Sequence, residues 1–233
     1  MINLAVIPAR GGSKGIPKKN ICVIAGKPLM VWTIEAALKS KSIDRVVVSS
    51  EDEEIKEIAA GFGVDVRNRP IDLAQDNIHA INVVIDCLKF YEEKGIIIDK
   101  VSMLLPTSPL RTAEDIDKAH EIFAHYNTGS VVGVVKSNKP VSNYRYIDHT
   151  FKLVPIINTN EYEVQRQDIV QPVFEVNGAM FVATAAHVRS FESFHKGAPS
   201  PYIMTKRNSI DINDMDDFKL AEFFLEGAME CKK

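Results

Sequence analysis

The 233-residue chain is 45% apolar and 25% charged, with a net charge near −3. That is ordinary globular composition, enough for one large α/β domain or a domain carrying a smaller insertion. The mildly acidic balance argues against a general nucleic-acid or membrane-surface binder.

In chain order, Leu4–Ile7 is a continuous apolar run that predicts a buried strand. It ends in Pro8-Ala9-Arg10-Gly11-Gly12-Ser13-Lys14-Gly15-Ile16-Pro17-Lys18-Lys19-Asn20, which holds three glycines, four cations and no acidic group. A glycine-rich turn after a strand offers unobstructed backbone N–H groups, and adjacent cations neutralise the anion they hold. The spacing fits neither GxxxxGK[ST] nor GxGxxG. A helix is expected after Gly26-Lys27-Pro28-Leu29, with Trp32 in its core-facing stripe. Val46–Val48 and Val64–Val66 read as further strands. Between them Ile55, Ile58, Ala59 and Phe62 fall at i, i+3, i+4, i+7, stopped by Gly63. Ser49 and Ser50, at a strand end, are expected near the site, and Glu51 to Glu54 as an acidic helix start.

Ile78, Ile81, Ile85 and Leu88 make a second helical stripe. Val101–Leu105 is a strand, and Ile116, Ala119, Phe123 and Tyr126 make a third stripe, opened by a capping box at Thr112 to Asp115. Val131–Val135 is the next strand. The alternation predicts an α/β fold: a Rossmann-like, mostly parallel sheet with helices on both faces. Residues 136–176 break the rhythm with prolines, tyrosines and short alternating runs, and read as an inserted hairpin-rich subdomain within a single domain spanning 1–233. Glu175–Val182 resumes strand character, and Asp214–Glu226 reads as a closing helix. Cys22, Cys87 and Cys231 form no CxxC pair, which points away from a disulfide framework. With no leader or membrane-spanning run in the sequence, a cytoplasmic location is expected.

Seven motifs in order carry a resemblance. They are the glycine turn, Gly26-Lys27-Pro28-Leu29, Ser49-Ser50-Glu51-Asp52, Arg69-Pro70 with Leu73-Ala74-Gln75-Asp76, and Pro106-Thr107-Ser108-Pro109-Leu110-Arg111. Arg166-Gln167-Asp168 with Asn177-Gly178-Ala179, and Ser209-Ile210-Asp211-Ile212-Asn213, complete the set. The chain resembles the sugar nucleotidyltransferases, most closely the cytidylyltransferases that activate sialic acids and related nonulosonic acids. The resemblance implies that CTP and a 2-keto-3-deoxy sugar acid are joined into a CMP-sugar, with release of pyrophosphate. In-line attack of the anomeric hydroxyl on the α-phosphorus needs alignment and charge neutralisation more than covalent chemistry.

By the same resemblance, Arg10, Gly12, Ser13, Lys14, Lys19, Asn20 and Arg69 bind the nucleotide, and Lys19, Arg10 and Asp211 are the catalytic set. Thr107, Ser108, Arg166 and Asn177 serve the sugar; Arg166 does so or forms an ion pair at the dimer interface, and Asn177 touches the sugar or orders the loop that does. Mg²⁺ is the implied cofactor, held by Asp211 and Asn213, whose i, i+2 spacing would share one face of a strand. Residues 136–176 are expected to mediate a homodimer. Leu105, where many sialic acid enzymes have glutamine, and Glu175, where a basic residue is common, favour legionaminate, pseudaminate or the deaminated sugar over ordinary sialic acid. Two alternatives stay open: a non-catalytic nucleotide-binding homologue, and a nucleotide-sugar glycosyltransferase. Against the latter, Leu105–Pro109 lacks the expected Asp-x-Asp. No residue stands out as a general base.

Overall fold

The computed structural model describes residues 1–13, 15–157 and 172–230. Among these, seven strands form one sheet in the order β11-β7-β10-β6-β1-β4-β5. They are β1 (Asn3–Pro8), β4 (Arg45–Ser50), β5 (Asp65–Asn68), β6 (Lys100–Leu104), β7 (Ser130–Lys136), β10 (Phe174–Thr184) and β11 (Ser200–Met204). β1 pairs in parallel with β4 and β6, β4 with β5, and β7 with β11. The exception is β10, which runs antiparallel between β6 and β7. Two short hairpins lie outside the sheet: β2 (Val23–Ile24) with β3 (Lys27–Pro28), and β8 (Arg145–Ile147) with β9 (Leu153–Pro155).

The expected two-faced sheet is observed. Along β1, Ala5 and Ile7 join the core under α1 (Leu29–Lys39), α2 (Glu53–Gly61) and α4 (Ala113–Tyr126). Leu4 and Val6 join the opposite core, under α3 (Ala80–Glu93) and α5 (Ala185–Phe191). This is the period-2 alternation of a strand buried on both faces. The last helix, α6 (Met215–Glu230), places Phe218, Ala221 and Leu225 against Ile16, Ile24 and Leu29, so it supports the glycine turn from beneath. The capping box is present: Thr112 accepts the Asp115 N–H, and Asp115 accepts the Thr112 N–H. Three residues counted into stripes lie off the buried faces, among them Phe62, which caps the C-terminus of α2 and is 41% exposed. Ile78 precedes α3, and Tyr126, at the end of α4, is 66% exposed.

Chain direction explains where the site forms. From β1 the chain steps outward through β4 and β5, then returns to place β6 on the other side of β1. That reversal is the topological switch point, where loops diverge and leave a crevice at the strands' carboxyl ends. β7 and β11 share the direction of β1, so the segment after Met204 also returns to this edge.

Inside the fold, Ser102 Oγ and the His120 ring share a hydrogen bond of 2.9 Å, with both residues buried. Burial, with help from Lys100, pushes the His120 pKa down to about 4 from 6.5. Between these values the unfolded chain takes up a proton that the native state refuses. Stability should therefore fall as pH drops from about 6.5 toward 4, by up to about 3 kcal/mol from this residue. Thermal melts across that range should show a weaker pH dependence for His120→Gln than for the wild type; equal slopes would remove the assignment.

Candidate active site

At the crevice, an open cavity of ≈ 430 Å³ draws its walls from four separate segments. The glycine turn contributes Arg10, Gly12, Ser13 and Gly15, and the following 3₁₀ turn contributes Lys19 and Asn20. Arg69 with Leu73, Gln75 and Asp76 forms a second wall. Leu105, Pro106 and Thr107, directly after β6, form a third, and Asn213 closes the fourth.

The turn is held in place residue by residue. Gly15 packs against the last segment: a Cβ there would lie 2.4 Å from the Asn213 carbonyl oxygen. At Gly11 a Cβ would lie 2.6 Å from Asp52 Oδ2. Both positions therefore demand glycine for close approach. Gly12, the glycine expected to matter, meets nothing at that distance. These constraints escaped the sequence because Asp52 and Asn213 lie far along the chain. Asn20 is buried, and its Nδ2 donates to the Arg10 carbonyl at 2.9 Å.

The cations differ in their anchoring. Arg69 is 5% exposed and donates to both Ser49 Oγ and the Ser49 carbonyl; burial lowers its pKa, with Glu51 opposing. Arg10 Nη1 reaches Asp76 Oδ1 at 2.6 Å. Lys19 Nζ donates to the Ile212 carbonyl at 2.7 Å, which ties the turn to the C-terminal segment. Burial lowers the Lys19 pKa below the ordinary lysine value, Asp211 raises it in part, and Arg10 lowers it again. Lys14 and Arg166 lie outside the described residues.

The expected strand carrying Asp211 and Asn213 is not observed. Residues 205–214 form an irregular segment, held by the Ile212 N–H donating to the Thr107 carbonyl at 2.8 Å. The two side chains meet all the same, with Asn213 Nδ2 at 3.3 Å from Asp211 Oδ2. Asp211 Oδ1 is buried without a hydrogen-bond partner.

Two expected sugar-side residues point elsewhere. Ser108 is fully buried, does not line the cavity, and its Oγ has no hydrogen-bond partner. Asn177 is 7% exposed; its Nδ2 donates to Ser209 Oγ at 2.9 Å and its Oδ1 accepts the Ala179 N–H at 3.1 Å. With Gly178 at φ +71°, a conformation suited to glycine, Asn177 builds the register shift in β10 and orders the 205–214 segment.

A second cavity of ≈ 430 Å³ opens beside the end of β7, lined by Lys136, Lys139, Lys206, Tyr144, Glu175 and Ser209. Its three lysines were not singled out in the sequence, because they come from two segments separated by some 70 residues and no local cluster signals them.

A sequence model of the family described as "Cytidylyltransferase" matches residues 4–227. The chain is 38% identical over 226 residues to the CMP-N,N'-diacetyllegionaminic acid synthase of Legionella pneumophila, covering 96% of both chains. It is 34% identical to the N-acylneuraminate cytidylyltransferase of Escherichia coli, over 94% of this chain but 51% of that longer one. Among solved structures, CMP:2-keto-3-deoxy-manno-octonic acid synthetase complexed with CTP shares the fold, at TM-score 0.71 and 12% identity over 98% of this chain and 100% of that one. The chain belongs to the cytidylyltransferase family.

Proposed function

We propose that the protein transfers the cytidylyl group of CTP to a nonulosonic acid, giving a CMP-sugar and pyrophosphate. The observation that carries this reading is the convergence of Arg10, Lys19 and Arg69 with the open N–H groups of a glycine turn in one cleft at the switch point. Such a surface suits a triphosphate: backbone donors for its oxygens, and cations for its charge. The acceptor's anomeric oxygen forms a bond to the α-phosphorus as the bond to the departing pyrophosphate breaks. Lys19 is the group assigned to the charge that builds on the phosphoryl oxygens, because it joins the turn to the Asp211 segment.

Asp211 Oδ1, buried and without a partner, and the adjacent Asn213 amide oxygen suit a hard cation such as Mg²⁺. Among the described residues no cluster of three or more His, Cys, Asp or Glu could hold an ion unaided, so most of its ligands would be phosphate oxygens and waters. When bound, the ion neutralises charge on the leaving pyrophosphate. Asp211→Asn should raise the half-saturating Mg²⁺ concentration roughly tenfold; an unchanged Mg²⁺ titration would remove Asp211 as a ligand.

The sugar acid is assigned to the Thr107 side of the cleft, where Leu105 offers an apolar surface in place of an amide. Pyrophosphate release with CTP, Mg²⁺ and a panel of legionaminic, pseudaminic, neuraminic and deaminated acids tests the whole reading. Release is expected with CTP and at least one of these acids. Release with none would favour a non-catalytic nucleotide binder, and release with ATP but not CTP would overturn the base assignment.

Association of two copies through the β8–β9 hairpin belongs to the same reading. Ile147, Phe151 and Leu153 are 60%, 88% and 72% exposed there, an apolar surface that a second copy would cover. No helix among the described residues is long and apolar enough to cross a membrane.

A further inference from the structure

In sequence, Glu51 to Glu54 reads as one acidic helix start, and three of the four residues serve that end. Asp52 caps α2 by accepting the Ile55 N–H at 3.1 Å, while Glu53 and Glu54 occupy its first turn. Glu51 does something else. Its Oε1 accepts the N–H of Gly11, forty residues earlier, at 2.7 Å. Its side chain is 15% exposed, and Oε2 is buried without a hydrogen bond, 3.8 Å from Arg69 Nη1.

A carboxylate seated on an anion-binding turn needs a reason, since it brings negative charge to the place where phosphate charge arrives. The reason lies in which peptide it holds. The Gly11 N–H and the Arg10 carbonyl belong to the same peptide unit. Asn20 Nδ2 donates to that carbonyl at 2.9 Å while Glu51 takes the N–H. The peptide plane is thus gripped from both sides by two side chains. The absence of a Cβ at Gly11 lets Asp52 close against it as well. Rotating this peptide would break both contacts and re-aim the Gly12 and Ser13 N–H groups, which have no partner among the described residues.

We propose that Glu51 is a positioning residue, which with Asn20 locks the Arg10–Gly11 peptide so that the turn presents its remaining N–H groups to the triphosphate. The buried Arg69 guanidinium offsets the carboxylate's charge, so the lock does not repel the ligand it prepares for. The proposal rests on the nucleotide reading of the cleft and adds to it a residue that touches neither substrate.

The test compares wild type, Glu51→Ala and Glu51→Gln, the last keeping an acceptor oxygen in place. CTP affinity is measured by calorimetry, KM for the sugar acid by pyrophosphate release, and amide exchange of residues 9–13 by mass spectrometry without ligand. Glu51→Ala should weaken CTP binding roughly tenfold, the scale of losing a hydrogen bond to a charged group. It should also speed exchange in residues 9–13 alone and leave the sugar-acid KM unchanged, and Glu51→Gln should restore most of the affinity. The proposal is overturned if Glu51→Ala binds CTP as well as or better than wild type. It is equally overturned if the glutamine variant is no better than alanine, or if exchange rises across the whole chain. If wild type itself binds no CTP, the nucleotide reading falls, while the local exchange difference still decides whether the lock exists.

Discussion

Lys19→Ala should lower kcat by roughly 10²–10³, the scale on which removal of a preorganised donor to transition-state charge is felt. An ammonium has three N–H donors, and the Ile212 carbonyl takes one. The other two are left for phosphoryl oxygens. Partial burial, which lowers the Lys19 pKa, means that the charge sits where water screens it poorly, so its effect on a neighbouring anion is larger than at an open surface. A contact that strengthens as charge builds lowers the barrier more than it tightens CTP, so kcat should fall further than KM rises. Stability should change little, because one hydrogen bond of about 1 kcal/mol is lost from a half-buried side chain. Initial rates of pyrophosphate release and a thermal melt check both halves. Unchanged kinetics would withdraw the role; a collapse of the melt would make Lys19 a structural strut.

Sequence made this lysine visible because the turn is local: glycines, cations and the preceding apolar run are consecutive letters. The same locality made α2, α3 and α4 legible as stripes, α2 with a glycine stop and α4 with a capping box. Where the structure departs, the determinant is distant in sequence. The direction of β10 is set by its neighbours β6 and β7 and has no local signature. β11 escaped because an edge strand buries little: in Ser200–Met204 only Tyr202 and Met204 are buried, and Pro201 breaks the pattern. α5, at seven residues, is too short to display a stripe. Asp211 and Asn213 were given a strand by the i, i+2 spacing that the resemblance supplied, yet their irregular segment is held by distant partners: the Thr107 carbonyl and Lys19 at Ile212, and Asn177 at Ser209. The glycines tell the same story, since only the folded neighbours Asp52 and Asn213 explain why Gly11 and Gly15 cannot carry a side chain.

Arg111 extends that lesson and carries the largest expected effect on stability. The resemblance groups it with the motif that faces the substrate, yet it is 2% exposed and does not line the cleft. Its guanidinium donates to the Leu105 and Ala179 carbonyls and, at 2.7 Å, to Thr33 Oγ1, so it joins the end of β6, the register shift within β10 and helix α1. Burial pushes its pKa down to about 9, with Asp115 opposing, so the group stays charged at neutral pH. Arg111→Ala relieves the penalty of a buried charge but removes three charge-assisted hydrogen bonds, at about 1.5–3 kcal/mol each, and opens a cavity; the Leu105 carbonyl keeps the Ser108 N–H and the Thr33 hydroxyl as donors. The net loss should be about 3–5 kcal/mol, or roughly 10 °C in Tm for a chain of this size. Arg111→Lys should not rescue it, because one ammonium cannot reproduce a planar fork spanning two carbonyls and a hydroxyl. Arg111→Met, which fills the space and removes the charge, should fall between wild type and alanine. Urea unfolding of the three variants gives the ranking, and alanine within about 1 kcal/mol of wild type would show that water replaces the fork. Because Leu105 leads directly into Pro106 and Thr107 of the cleft wall, alanine should also lower kcat/KM below the unfolding transition. That loss would tie the stability of the β6–β10 junction to the geometry of the acceptor side.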